Sequence, residues 1–241
     1  MTNALHLHIL GSGSKGNCSL VESPEGLIMI DNGFSRRETL ARMHALGLDE
    51  SRVRALVLTH EHGDHTRGIA VWCKRFAGEL YASAGTPAAR RGFEELPFHE
   101  VEPGEDVQIG DVLVETFPTS HDVVNPMGMR FTAGGDAIAF ATDTGVLTPP
   151  ALRLLADARI LALECNHDVT MLRHGGYPRF LQERILSDEG HLSNAQAAEA
   201  VRTLGATLDN KIGSAATLER PGGAQPLHIR AAGQDRPLTI L

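Results

Sequence analysis

The feature that most constrains this chain is a seven-residue stretch, THEHGDH at 59–65, which directly follows the apolar run RALVL at 54–58. Such a run reads as a strand buried on both faces. His60 and His62 stand two apart at its extended end, so their side chains project the same way and can meet one ion. Past the turn at Gly63, Asp64 and His65 can face a second. The plain alternative is a solvated polar loop, but chance seldom puts three histidines and an aspartate at this spacing.

Two more ligand-grade residues follow apolar runs, His121 in FPTSHD and Asp143 in FATDTG. Alone, each would read as a turn residue or a cap; beside the histidine-rich loop, both become candidate ligands. The chain holds 12 histidines, and histidine is the commonest metal ligand among side chains. Neutral imidazoles and carboxylates suit Zn2+ or Mn2+, and the absence of a nearby cysteine disfavours a structural zinc of the finger type. A catalytic site with open coordination positions is implied.

With 241 residues, 42% of them apolar, the chain can bury a sizeable core without disulfides. Cys18, Cys73 and Cys165 lie far apart and read as reduced thiols rather than a disulfide framework. A formal net charge of −8 argues against holding nucleic acid through a general basic surface, so any polyanion must be gripped locally. No apolar run approaches the roughly 18 residues of a membrane span, and the opening residues lack a signal-peptide pattern. The expectation is a cytoplasmic protein with no membrane partner.

Up to about residue 142, short β-type runs dominate, at 5–10, 18–22, 27–31, 54–60, 79–83, 106–110, 111–117, 127–133 and 136–142. SPEG at 23–26 and AGGD at 133–136 have hairpin length. Helices are expected at 35–47, with Ser35 and Glu38 as a capping box and Gly47 at the end, at 148–158, at 193–205 from Ser193, and in the stretch after His65. Strands flanked by helices in both halves imply an α/β fold with layers in the order helix, sheet, sheet, helix. Residues 1–204 are expected to form the main domain. Residues 205–241 read as an atypical tail, rich in Gly, Ala, Arg and Pro, with a strand-like PLTIL at its close.

GSGSKG at 11–16 matches a dinucleotide fingerprint, with Asp31 at a suitable distance. That site needs a helix starting at the last glycines, whereas NCSLVESPEGLIMID reads as two β runs around a turn. A tight loop bordering another site is expected instead, and it could offer Ser12, Ser14, Lys15 or Asn17 to a phosphate.

LIMIDNG (27–33), LTHEHGDH (58–65), SHD (120–122) and ATDTG (141–145) resemble, in order, the metal-site motifs of the metallo-β-lactamase superfamily. GSGSKGNCSLVE (11–22), LECNHDVTMLRHGGYP (163–178) and RILSDEGHLSNAQAAEA (184–200) resemble its YycJ/WalJ-like branch, close to the tRNase Z and phosphodiesterase group. The resemblance covers roughly residues 5–203. It implies a four-layer αββα sandwich with two divalent ions, one held by His60, His62 and His121 and the other by Asp64 and His65. Asp143 would bridge the two, and Asp31 would brace the histidines from behind. It also implies a catalytic role for Asp64 besides ligation, a catalytic pair, Glu164 and His191, beside the leaving group, and attack by a hydroxide bridging the two cations. The implied activity is 5′-to-3′ exonuclease action on DNA. The residues alone leave DNA, RNA and small diesters open, and they leave oligomeric state, a homodimer included, equally open.

The branch normally supplies a last metal histidine in an AHLSxxNN motif, which this sequence lacks; its tail offers only His228, in PLHIR. The second metal site is therefore expected to be the weaker one, or to be completed by water. Two rival readings follow: a thioester or lactam hydrolase on the same scaffold, which would not need the Glu164 and His191 pair, and a metal-binding scaffold impaired by the missing ligand. His167, next to Asp168, is either a neighbour of a helix-start cap or a substrate contact. His6 and His8 alternate with Leu5, Leu7 and Ile9 and are expected to face solvent. Trp72 and Phe76 are expected in the core.

Overall fold

The computed structural model describes residues 5–204 and 236–241, together with the backbone of 216–219 and 228–231. The chain-order strands are β1 (His6–Gly11), β2 (Cys18–Ser23), β3 (Gly26–Ile30), β4 (Val53–Leu58), β5 (Glu79–Ser83) and β6 (Phe98–Val101). They continue as β7 (Asp106–Ile109), β8 (Val112–Pro118), β9 (Met127–Ala133), β10 (Asp136–Ala141), β11 (Ile160–Leu163), β12 (Ala216–Glu219), β13 (His228–Ala231) and β14 (Leu238–Ile240). The helices are α1 (Arg36–Ala45), α2 (Gly63–Thr66), α3 (Ile69–Cys73), α4 (Thr86–Ala89), α5 (Pro149–Leu155), α6 (Val169–His174), α7 (Arg179–Ile185) and α8 (Asn194–Thr203).

Alternating side chains give each sheet two faces to bury. One sheet has the order β14-β1-β2-β3-β4-β5-β6, the other β13-β12-β11-β10-β9-β8-β7. Leu7, Ile9, Val21, Ile28, Val57 and Tyr81 of the first meet Val114, Met129, Phe131, Ile138 and Ile160 of the second in a shared core. The outer face of the first sheet, through Leu20, Met29, Leu56 and Leu58, packs under Met43, Ile69 and Trp72. The outer face of the second, through Ala139, Ala141, Leu161 and Leu163, packs under Ala151, Leu155, Ala197 and Val201. Each large apolar side chain taken out of water contributes roughly 1.5–3 kcal/mol, so three such layers hold the expected αββα order together.

Local signals set the helix starts. Ser35, Thr148 and Ser193 each accept a hydrogen bond from a backbone N–H of the first turn, and Ser193 and Gln196 form a full capping box. Glu38 does not close its box; its carboxylate receives Arg42 Nε at 2.8 Å instead. After His65 the helix breaks into α2 and α3 at Gly68, where a Cβ would come within 1.9 Å of the Phe34 carbonyl oxygen. As expected, Trp72 is buried in the outer core and Phe76 packs against it.

One sequence expectation is reversed. His8 is only 3% exposed, because β14 pairs with β1 and Thr239 Oγ1 and Glu22 Oε2 close over the ring at 2.9 and 3.0 Å. Alternation on β1 sends His8 away from the inter-sheet core, as read, but neighbours from β2 and β14 cover it. His6 stays partly exposed. In the tail, β12 pairs with β11, β13 with β12, and β14 with β1, so the stretch supplies strands to both sheets. Across the sheets, Arg159 donates to both carboxylate oxygens of Asp136 at 2.7 Å, to Leu241 O at 2.7 Å and to Leu5 O at 2.5 Å.

Candidate metal centre

Parallel pairing of β3 with β4 and of β10 with β11 brings four carboxyl ends to one rim of the sandwich. Asp31 follows β3, His60 and His62 follow β4, Asp143 follows β10 and Glu164 follows β11. A backbone hydrogen bond from Met127 N to Thr59 O, at 3.1 Å, joins the two sheets there. Among the described residues four non-glycine residues have positive φ, and two are Asp31 (57°) and Asp143 (53°). Aspartate tolerates that conformation better than most residues, and it turns each carboxylate inward at its strand end.

Three ring nitrogens converge. His60 Nε2 lies 3.1 Å and His121 Nε2 3.2 Å from His62 Nδ1. His60, His65 and Asp143 form a second group, and His121, Asp143 and His191 a third, each with donor atoms within 4.8 Å of one another. Asp143 belongs to both of these latter groups. His65 Nε2 is 3.4 Å from Asp143 Oδ2 and 3.8 Å from Asp64 Oδ2.

The far nitrogens of these rings are anchored. His65 Nδ1 lies 2.7 Å from Asp31 Oδ2, His60 Nδ1 3.0 Å from Thr59 Oγ1 and His121 Nδ1 3.1 Å from Gly190 O. Asp31 also accepts from Thr59 N at 2.8 Å, so one buried carboxylate fixes both the histidine loop and its neighbour. Rings tied behind, with the other nitrogen turned into the cluster, are the arrangement metal-ligating histidines adopt. The donor set therefore fits divalent cations.

The electrostatics agree. Burial, with charge on His65, pushes His60 well below the usual histidine range, so its imidazole is neutral and free to ligate. Burial alone would raise Asp143, but charge on His65 and on His191 holds it ionised, well below the carboxylate range. Burial would lower His65, yet Asp143, Asp31 and Asp64 raise it to about 9. Such a pull on a proton is the same field that would favour a cation.

Glu164 and His191 meet at 2.6 Å, Oε1 to Nδ1, and His191 Nδ1 also lies 3.6 Å from Asp143 Oδ1. Burial opposes a charge on His191, but the bond to Glu164 and the charges of Glu164 and Asp143 win, and its pKa is raised. Glu164 Oε2 is held by the backbone N–H groups of Thr144 and Leu192, at 3.0 and 3.2 Å.

Ser12, Ser14 and Asn17 line a cavity of about 140 Å3 together with Asp64, Asp143, Glu164 and His191. Asn17 is engaged in it already, with Nδ2 at 2.9 Å from His65 Nε2 and 3.2 Å from Asp64 Oδ2. His167 sits elsewhere, on a larger neighbouring cleft that Ser14 and His191 also reach. The side chain of His228 lies outside the described residues. Sequence reasoning passed over Thr59 and Gly190 as supports, although both stand inside the quoted motifs. It also passed over Asp122, which binds Arg184 through both of its oxygens; nothing in the SHD motif signals that pairing.

A two-sheet sandwich with histidines and aspartates gathered at one rim defines a metal-dependent hydrolase. Residues 27–209 match the family model described as "Beta-lactamase superfamily domain", and the chain belongs to that superfamily, in its metallo-β-lactamase form. It is 35% identical over 204 residues to the exodeoxyribonuclease WalJ of Streptococcus pneumoniae, covering 82% of this chain and 76% of that one. Exodeoxyribonuclease YycJ of Bacillus anthracis is likewise 35% identical, over 201 residues, with the same shares covered. Among solved structures, Zn2+-bound PqqB of Methylobacterium extorquens superposes with a TM-score of 0.66 at 18% identity, covering 81% of this chain and 84% of that one. No helix among the described residues is long and apolar enough to cross a membrane.

Proposed function

We propose that the chain is a cytoplasmic exonuclease that hydrolyses DNA phosphodiester bonds from the 5′ end. The observation that carries this reading is the 2.6 Å contact of Glu164 with His191 beside the histidine and aspartate cluster. Expelling an alkoxide from phosphorus calls for a proton donor at the leaving oxygen. A thioester or lactam hydrolase would not need that pair. The names of the two bacterial relatives point the same way.

In this reading His60, His62 and His121 hold one divalent ion, Zn2+ or Mn2+, Asp64 and His65 hold a second, and Asp143 serves both. Bound there, such ions would supply Lewis acidity and lower the pKa of water. The protein does the rest. Asp31 and Thr59 fix the ring orientations of His65 and His60, and Gly190 O fixes that of His121. Glu164 holds His191 at Nδ1, which leaves Nε2 to carry the proton to the leaving oxygen. Ser12, Ser14 and Asn17 line the cavity where phosphate oxygens would sit, and His167 contacts the nucleotide next to it.

The test is incubation of the metal-loaded protein with 5′-phosphorylated and 5′-hydroxyl single-stranded DNA and RNA, with His62→Ala as control. Stepwise shortening of DNA from the 5′ end is the expected result. Wild type that matches His62→Ala on every substrate overturns the proposal and favours the impaired scaffold.

A further inference from the structure

Between β11 and α8 the chain makes an excursion, residues 169–185, that the fold does not explain. α7 buries none of its residues and α6 buries only Leu172. Yet three of the six large apolar side chains exposed among the described residues stand here: Met171 at 76%, Tyr177 at 57% and Phe180 at 72%. Apolar side chains concentrated outside any core mark a contact surface.

Its charge is also out of keeping with the chain. Residues 169–185 hold Arg173, Arg179, Arg184 and His174 against one acid of their own, Glu183, which pairs with Arg179 at 2.8 Å while Arg184 reaches out to Asp122, in a protein of net charge −8. Met171, Tyr177 and Arg184 line a cleft of about 830 Å3 that begins at His191 and Ser14. Phe180 lies one helical turn before Arg184 and so shares its side of α7. His167 lines the same cleft, and among the described residues neither of its ring nitrogens has a hydrogen-bond partner. The nearby acid, Asp168, is occupied in capping α6, with Oδ1 accepting from Met171 N at 2.8 Å.

Resting on the nuclease reading above, we propose that this cleft is a stacking groove for unpaired bases. Tyr177 and Phe180 are its platforms, Met171 is an apolar flank, and Arg173 and Arg179 track the phosphates. Because it opens at His191 and Ser14, the groove continues from the scissile bond along the strand. Aromatic platforms with interspersed arginines are how proteins hold single strands without reading sequence, since every base offers a π-face. A duplex, with its faces already stacked, gains nothing from them.

The experiment is fluorescence anisotropy with a labelled 5′-phosphorylated oligothymidylate on metal-free protein, which reads binding and not turnover. Tyr177→Ala and Phe180→Ala are each expected to weaken binding about ten-fold, while Tyr177→Phe binds as wild type. An abasic oligonucleotide of equal length is expected to bind wild type as weakly as thymidylate binds the alanine variants. Arg173→Ala and Arg179→Ala are each expected to reduce the salt slope by about 0.7. Alanine variants that bind thymidylate like wild type overturn the groove but leave the nuclease reading standing. So does a wild-type dimer that the substitutions convert to monomer without change in DNA affinity, which would make the patch a contact between two copies. Wild type that neither binds nor shortens DNA removes both.

Discussion

Glu164 Oε1 stands 2.6 Å from His191 Nδ1, with the carboxylate side chain 7% exposed and the imidazole 20%. The bond fixes the tautomer and orientation of the ring and raises its pKa. The protonated imidazole is thereby favoured, as a proton donor to a poor leaving group requires.

Replacing Glu164 by Gln should lower kcat on DNA by about 10²–10⁴, the usual worth of a positioned acid. The loss should be much smaller on a p-nitrophenyl ester of thymidine 5′-phosphate, whose leaving group needs no proton. On DNA, wild-type activity falls as pH rises through the raised pKa of His191; without the carboxylate this fall moves to lower pH. Equal losses on both substrates would contradict the donor role.

Asp31 touches no open position of the cluster, yet it should govern metal affinity. Asp31→Ala frees His65 Nδ1 and the Thr59 backbone. Titration calorimetry with Zn2+ or Mn2+ should show affinity reduced about 10–100-fold. His62→Ala, which removes the ring nitrogen shared by two contacts, should lower the number of ions bound. Wild-type affinity in Asp31→Ala would sink the bracing role.

Gly33 is required by a close approach. A Cβ there would fall 1.6 Å from Asp64 O and 2.8 Å from Asn17 N, both backbone atoms. Gly33→Ala must therefore displace the loop that carries Asp64 and His65, at a cost of about 1–3 kcal/mol or more. Thermal unfolding should show a lower Tm, and metal binding should weaken alongside it. A variant with unchanged Tm and metal affinity would refute the constraint.

The pair formed by Arg159 and Asp136 should matter for stability alone. Burial would raise Asp136, but hydrogen bonds from Arg159 and Leu5 hold its pKa below the usual carboxylate value. Its contribution is therefore complete above about pH 4 and is lost as pH falls below that. Asp136→Asn should cost about 1–2 kcal/mol at neutral pH, since both side chains are partly solvated. In denaturant unfolding, the gap between variant and wild type should shrink in acid; a gap constant with pH would contradict the linkage.

Much of this was legible in the chain. THEHGDH is dense enough to reveal a metal loop by itself, and β-type runs with capped helices between them sufficed for the layers. Parallel pairing, which brings Asp143 and Glu164 to the same rim as His60, has no local signature; Asp143 stood out only beside the histidine-rich loop, and Glu164 needed the family motifs to be placed. β6 has no buried run to betray it, with His99 and Glu100 both exposed. His8 was misjudged because its cover comes from Thr239, 231 residues away, a distance no periodicity can report. The exposed aromatics of 177–180 carry no periodic signal at all; only their lack of burial sets them apart.

That same pairing of β1 with β14 bears on synthesis. During translation the first strand emerges with one flank unsatisfied and waits for a mate some 231 positions later. Contacts so distant in sequence close late and slowly. Until then the nascent sheet offers an open edge to any passing extended peptide, and a chaperone holding that edge would guard the step on which completion of the sandwich depends.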